Sequence, residues 1–300
     1  MITIIGSINL DLIASVERLP APGETVLGDD FRTTPGGKGA NQALAAARAG
    51  AQVRMIGAVG KDAFAAEALA CLKEGKVDLS GVAEMHAATG IALILVAANG
   101  ENTIAVVPGA NASVLPGDTA KMFPEKGGIV LLQLEIPLAT VEAALDAARA
   151  AQGIAILNTA PFRAEAAPFL AEADYIVANE TEFDFYAEAL GLSGSGRDAR
   201  MKAFAAQTGR VIIVTLGAEG VLAATPDGFL TIPALKVTPV DTIGAGDTFC
   251  GYLAAGLSQE LTLEEALSRA AVAGSLACLK KGAQPAIPLA ADVDAALSPM

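Results

Sequence analysis

The sequence predicts an α/β protein: a doubly wound, mostly parallel β-sheet with helices on both faces and a small β-sheet lid. Three observations lead there. The 300 residues are 53% hydrophobic and 18% charged, enough apolar material for a large buried core, as one α/β domain or one domain with a small appendage. Short apolar, β-rich runs alternate with Ala-rich segments of helical period, the pattern of a parallel sheet covered by helices. Two segments, residues 10–34 and 89–107, break that alternation.

Strands of the main sheet are expected at residues 2–6, 53–59, 129–134, 154–157, 175–178 and 211–216, where apolar runs are too short for helices. Helices are expected between them at residues 41–48, 63–74, 138–151, 180–190, 198–207, 248–257 and 263–280. In the second irregular segment, residues 90–97 and 102–107 flank Asn99-Gly100, a dipeptide that favours a tight hairpin turn. The two irregular segments are expected to pair as a few antiparallel strands that project from the carboxyl edge of the main sheet. They would cover the ligand crevice and present an outer face for a dimer. The expected division is a main domain of residues 1–9, 36–88 and 108–300, with a discontinuous lid of residues 10–35 and 89–107. Ser193-Gly-Ser-Gly196 reads as a surface turn, since the alternation resumes directly after it, and no internal repeat is evident.

Composition removes several classes of function. A net charge of −13 opposes binding to nucleic acid and to anionic membrane surfaces, both of which attract Lys and Arg. The mean hydropathy of +0.48 comes largely from Ala, and no run of about 18 apolar residues appears, so a soluble protein is expected. A strand begins at once with no basic or long apolar leader, which points to the cytoplasm. Cys71, Cys250 and Cys278 are scattered and lack CxxC spacing, so they are expected to be buried small hydrophobes rather than disulfide partners or zinc ligands. His86 is the only histidine and lies far from any motif, which leaves catalysis to carboxylates.

Asp241-Thr-Ile-Gly-Ala-Gly-Asp247 sets a carboxylate just after a glycine-rich turn, at the start of a helical pattern. Unpaired backbone N–H groups at a helix start attract anions, and glycine lets an anion approach. Asp247 there is either a helix cap or a base that deprotonates an attacking hydroxyl while the amides steady a phosphoryl group. Pro35-Gly-Gly-Lys-Gly-Ala-Asn-Gln42 is a glycine-rich loop that matches neither the P-loop nor the dinucleotide spacing, so a ligand loop and a tight turn both fit. Asn9 and Asp11, two residues apart after the first strand, suit vicinal hydroxyls or an Asx turn. Glu135, Asn179 and Glu180 fall at carboxyl ends of strands, as ligands or as helix caps. The turn of Thr215, Leu216, Gly217, Ala218, Glu219 and Gly220 offers backbone groups to a flat or phosphorylated ligand, or simply closes a hairpin between residues 211–216 and 221–225. Lys280-Lys-Gly-Ala-Gln284 follows the last long helix.

In this order, Gly6-Ser-Ile-Asn-Leu-Asp11, Gly36-Gly-Lys-Gly-Ala-Asn41, Gly109-Ala-Asn111, Gln133-Leu-Glu135, Asn179-Glu-Thr-Glu182, Thr215-Leu-Gly217, Asp241-Thr-Ile-Gly-Ala-Gly-Asp247 and Lys281-Gly-Ala-Gln284 resemble the ribokinase-like sugar kinase family over nearly the whole chain. The resemblance implies ATP-dependent phosphorylation of a sugar hydroxyl, here the 5-hydroxyl of D-ribose. Deoxyribose, nucleosides and fructose are alternatives within the family, and a non-catalytic sugar-binding protein is the alternative outside it. It also implies roles. Asp247 is the base, and the amides of Gly244, Ala245 and Gly246 form the anion hole. Asn9, Asp11, Gly37, Lys38, Asn41 and Glu135 bind the sugar. Asn179, Glu182 and the turn from Thr215 to Gly220 hold the nucleotide with its Mg²⁺, with Gly246 against the phosphates and Ala271 beside the adenine. An activating K⁺ is implied at Asp241, the Ile243 carbonyl, and carbonyls near Ala277, Lys280 and Gly282. Two positions depart from the family pattern: Ala271, where a polar residue is frequent, and Ala286, where a serine often stands near the ion.

Overall fold

The computed structural model describes residues 1–117 and 126–297; the expected main-domain stretch 108–300 therefore includes residues outside the described ones. In chain order the strands are β1 (Ile2–Ile5), β2 (Asn9–Val16), β3 (Gly28–Gly36), β4 (Val53–Gly60), β5 (Asp78–Met85), β6 (Gly90–Ala97) and β7 (Asn102–Val107). They continue as β8 (Ile129–Leu132), β9 (Ile154–Asn158), β10 (Tyr175–Asn179), β11 (Val211–Thr215), β12 (Val221–Thr225) and β13 (Gly228–Ile232). The α-helices are α1 (Lys38–Arg48), α2 (Ala63–Ala68), α3 (Ala70–Glu74), α4 (Leu138–Ala150), α5 (Glu180–Ala189), α6 (Arg197–Thr208), α7 (Ala245–Ser258), α8 (Leu263–Ala277) and α9 (Ala290–Leu297).

A nine-stranded sheet runs β13-β12-β11-β10-β9-β8-β1-β4-β5. From β11 to β5 every neighbouring pair is parallel, and β12 and β13 add an antiparallel edge. Side chains alternate across it with the period of two that a pleated strand imposes. Ile129, Leu131, Ile156, Val177 and Ile213 pack with α1, α7 and α8 on one face. Val130, Leu132, Leu157, Ile176 and Val214 pack with α4, α5 and α6 on the other. Burial on both faces is why these strands are continuous apolar runs.

The four-stranded second sheet has the order β3-β2-β6-β7. It corrects the expectation of an all-antiparallel lid, because β2 and β6 pair in parallel between two antiparallel neighbours. β2 and β6 follow β1 and β5, which run in the same direction in the main sheet, so both leave by the same edge and meet in parallel. Thr89, at the root of β6, is held by Asp62: its N–H and its hydroxyl donate to the two carboxylate oxygens at 2.7 and 2.8 Å.

Further corrections are local. The helices expected at 41–48 and 248–257 begin three residues earlier, at Lys38 and Ala245, because Gly37 and Gly244 take positive φ (88° and 77°) and serve as N-caps. Their first turns are polar or glycine-rich, so hydrophobic periodicity misses them. The helix expected at 63–74 divides at Leu69, and the one expected at 263–280 stops at Ala277. β5 was not expected at all: Ser80, Gly81 and Glu84 interrupt its apolar pattern. Only Cys250 is buried; Cys71 and Cys278 are half-buried. Among the described residues no helix is long and apolar enough to cross a membrane.

Candidate functional site

The first turns of α1 and α7 meet at the carboxyl ends of β1, β8 and β9, where doubly wound sheets form their crevice. Asp247, the third residue of α7, does not cap its helix. One of its carboxylate oxygens accepts a hydrogen bond from Asn41 Nδ2 at 2.9 Å and the other from Gln42 Nε2 at 3.0 Å. That removes the capping reading, because the carboxylate points across to α1 rather than back to its own N-terminus.

Ahead of it lies the turn that starts α7. Gly244 needs its left-handed backbone and its lack of a side chain, since a Cβ there would lie 2.9 Å from Ala283 Cβ. The Ala245 N–H bonds the Thr242 carbonyl at 3.3 Å, closing the turn, whereas the N–H groups of Gly244 and Gly246 have no acceptor among the described residues. They are donors free for an anion, at the positive end of a 14-residue helix.

On the other side of Asp247 is a buried polar cluster. Gly37 lies so close to the chain after β1 that a Cβ would meet the Asn9 nitrogen at 2.7 Å and the Ser7 carbonyl at 2.9 Å. This close approach ties α1 to β1, and the Ala40 N–H completes it on Ser7 O at 2.9 Å. Asn9, Asp11 and Asn41 are 3, 8 and 5% exposed. Asn9 Oδ1 accepts from Asn111 Nδ2 at 2.7 Å, and Asn111 Oδ1 accepts the Ile8 N–H at 2.9 Å. Glu135, in the bend after β8, accepts from the Ser7 hydroxyl and from the Lys38 N–H at 3.2 Å. Asn41 Oδ1 is buried without a partner in the protein.

The charges in this cluster act on one another. Burial first, then the nearby Glu135 and Asp247 carboxylates, push Asp11 up to about 7 from an ordinary 3.8. Burial disfavours the Lys38 ammonium, yet Asp247, Glu135 and Glu182 outweigh it and hold the group above its ordinary range. Lys38 thus stays charged and offsets part of the carboxylate repulsion.

A second group lies further along the sheet. Asn179 and Thr215 are direct neighbours at the ends of β10 and β11. Asn179 caps α5 through its Oδ1, which accepts the Glu182 N–H at 2.8 Å, and Glu182 returns the bond to the Asn179 N–H at 3.0 Å. Both residues therefore act as caps, while Asn179 keeps its exposed amide nitrogen. Gly217, Ala218 and Glu219 form an exposed 3-10 turn between Leu216 and Gly220, and this turn does join β11 and β12 as an antiparallel hairpin. Ala271 is buried in α8, 5% exposed, with no polar side-chain atom to offer.

Asp241 staples two loops: one oxygen accepts the Ile243 N–H at 3.0 Å, the other the Gly282 N–H at 2.9 Å. Ala277 ends α8, Lys280 follows it, and Ala286, itself 2% exposed, closes a short 3-10 turn. A single carboxylate is a hard oxygen donor of one negative charge, the kind of group a hard cation takes as a ligand. Among the described residues no three His, Cys, Asp or Glu side chains converge to hold a metal. Two surface cavities lie elsewhere, one of about 550 Å³ by Thr262 and Leu297 and one of about 380 Å³ by Lys61 and Lys73; neither gathers any of these motifs.

The sequence model of the pfkB family of carbohydrate kinases matches residues 1–290. The chain belongs to that family. It is 39% identical over 299 residues to the ribokinase of Lactococcus lactis, covering 99% of this chain and 96% of that one. Its structure is similar to that of Thermotoga maritima ribokinase, with a TM-score of 0.88, 32% identity, and coverage of 99% and 98%. It is also similar to that of Arabidopsis thaliana ribokinase complexed with ribose and ATP, with a TM-score of 0.85, 29% identity, and coverage of 100% and 99%. In a carbohydrate kinase, a carboxylate between a buried polar cluster and free amides has the chemistry to serve both ends of a phosphoryl transfer.

Sequence reasoning assigned no role to four side chains of this kinase site. Ser7, Gln42, Gln133 and Asn158 join the cluster through hydrogen bonds to Glu135, Asp247 and one another. Gln42 follows Asn41 directly in the glycine-rich motif, and Asn158 ends β9 as Asn179 ends β10. Those placements were the available signals.

Proposed function

We propose that this kinase transfers the γ-phosphoryl group of MgATP to the 5-hydroxyl of D-ribose, giving ribose 5-phosphate and ADP. The observation that carries the reading is Asp247, held by two side-chain amides beside free backbone N–H groups and next to a buried polar cluster. The names of the similar proteins support ribose as the sugar. Asn9, Asp11, Asn41, Lys38 and Glu135, with the Gly37 backbone, bind the sugar hydroxyls. Asp247 takes the proton of the 5-hydroxyl, whose oxygen attacks the γ-phosphorus as the bond to the bridging β–γ oxygen breaks. The amides of Gly244 and Gly246, with Ala245 between them, meet the charge on the transferred group, a contribution of about 3–4 kcal/mol for one such donor in other enzymes. The turn from Thr215 to Gly220, exposed at Gly217, Ala218 and Glu219, and the Asn179 amide receive the nucleotide; Glu182 supports Asn179, and Ala271 gives the adenine an apolar neighbour.

When bound, Mg²⁺ arrives with ATP and neutralises phosphate charge. Asp241, the Ile243 carbonyl and carbonyls near Ala277, Lys280 and Gly282, with Ala286 close by, would hold K⁺, which would supply charge that steadies the Asp241 staple. The smaller sheet acts as a lid that excludes water. Ile104 and Val106, two residues apart on one face of β7 and each about half exposed, support a homodimer through that sheet. ATP supply and free cysteines accord with the cytoplasm.

An ADP-release assay over pentoses, hexoses and nucleosides, in potassium and then in sodium, tests substrate and ion together. The reading predicts the highest kcat/KM with ribose and a loss of rate in sodium. Another sugar preferred over ribose by tenfold or more would replace the substrate, and equal rates in both salts would remove the ion. A monomeric mass by light scattering at micromolar concentration would remove the dimer.

A further inference from the structure

Gln42 is fully buried, and Asp247 is the one charged group to which its side chain hydrogen-bonds among the described residues. Every polar atom of its side chain is used. Its Nε2 donates one hydrogen to Asp247 at 3.0 Å and the other to Asn158 Oδ1 at 3.1 Å. Its Oε1 accepts from Gln133 Nε2 at 2.6 Å. Asn158 Nδ2 in turn donates to the Val177 carbonyl at 3.2 Å. The amide is therefore fixed in rotation and in orientation, since turning it over would set its oxygen against both Asp247 and Asn158.

Asn41, the other donor to Asp247, has a different character. Its Oδ1 is buried and unpartnered, which leaves it an acceptor for a substrate hydroxyl. A group that also holds substrate must adjust as substrate comes and goes. Gln42 has no such second duty, and it ties the base to the carboxyl ends of β8, β9 and β10 through Gln133, Asn158 and the Val177 carbonyl.

We infer that Gln42 is a positioning residue for phosphoryl transfer: its amide, locked by Gln133 and Asn158, fixes the plane of the Asp247 carboxylate. The inference rests on Asp247 being the base. With Gln42 in place, one oxygen of Asp247 is held toward Gln42 and the other stays beside Asn41, turned to the sugar. Without it, the carboxylate turns about its own axis and the approach to the 5-hydroxyl is lost in most molecules. A carboxylate misplaced by about 1 Å costs on the order of a hundredfold in rate.

The test uses the full-length enzyme and three variants. Gln42→Met keeps volume and burial but removes the amide, and it is expected to lower kcat about a hundredfold while ribose and ATP KM stay near wild type. Gln133→Met leaves both bonds to Asp247 but frees the Gln42 oxygen, and it is expected to give a smaller fall, again in kcat alone. Asp247→Asn separates the premises: turnover retained there overturns the base and this inference with it. If Asp247→Asn is dead while Gln42→Met keeps wild-type kcat, the base stands and the positioning role is overturned. A fall in kcat matched by an equal loss of ribose affinity would also overturn it, as that marks general damage to the pocket. Should Gln42→Met fail to fold, an unaltered kcat in Gln133→Met overturns the inference by itself.

Discussion

On the proposed sugar side of the cleft, Asn9, Asp11, Asn41, Gln42 and Asp247 are all less than a tenth exposed and come from β2, α1 and α7. On the nucleotide side, Asn179, Gly217, Ala218 and Glu219 are exposed and sit in caps and turns whose bonds are local. The difference is one of reach. Sugar-side contacts span most of the chain, Asn41 to Asp247 and Ser7 to Glu135, whereas Asn179 and Glu182 are three residues apart. A small polar sugar offers little apolar surface, so discrimination falls to fixed, desolvated polar partners, and an unmatched buried group there is costly. A nucleotide brings phosphates that backbone amides can hold at the surface.

The largest expected effect tests the boundary between the two sides. Asp247→Asn should lower kcat by roughly 10²–10⁴-fold, the usual worth of a general base, with ribose and ATP still binding in calorimetry. Should both ligands be lost as well, Asp247 would be a structural member of the sugar side rather than the group that joins the two.

Asp11 comes next. Asp11→Asn should raise the ribose KM by roughly 10–100-fold, as for loss of hydrogen bonds to a charged group, and leave the ATP KM alone. Asp11 is pushed up to about 7, and in its proposed role it accepts ribose hydroxyls best when ionised. Wild-type ribose affinity should therefore weaken as pH falls from 8 to 6, and the variant should lose this dependence. Between about 4 and 7 the folded chain holds a proton on Asp11 that the unfolded chain has released, so this group's contribution to stability declines as pH rises through that window. Chemical denaturation across the window should show a flatter slope in Asp11→Asn, and parallel slopes would show that the carboxyl is not perturbed.

The smallest effect sharpens the local character of the nucleotide side. Asn179→Ala should cost about 1 kcal/mol of stability through the lost cap and raise the ATP KM with ribose KM unchanged. An equal rise in ribose KM would mean that the two sides are coupled through β10.

Most of the main sheet was legible in the sequence because its strands are buried on both faces, and such strands announce themselves as apolar runs. The edge strands β5 and β13 were not, since an edge needs only part of its length to be apolar and tolerates Ser80, Gly81 and Glu84. Helix starts at Lys38 and Ala245 were hidden for another reason: glycines of positive φ cap them, and glycine and polar residues stand in their first turns where periodicity would begin. Gln42 and Asn158 escaped because a buried amide has no signature of its own until its partners are known.

The order of short apolar runs, Ala-rich helices and glycine-flanked carboxylates determined the fold class and marked Asp247, because burial and backbone geometry act on each segment locally. Only the tertiary structure decided what Asp247 does with its two oxygens, that Asp11 is pushed up toward neutrality, and that β2 and β6 run parallel. Those properties belong to contacts between residues far apart in the chain, and hydrogen bonds and charges act over a few ångströms of space, whatever the sequence separation.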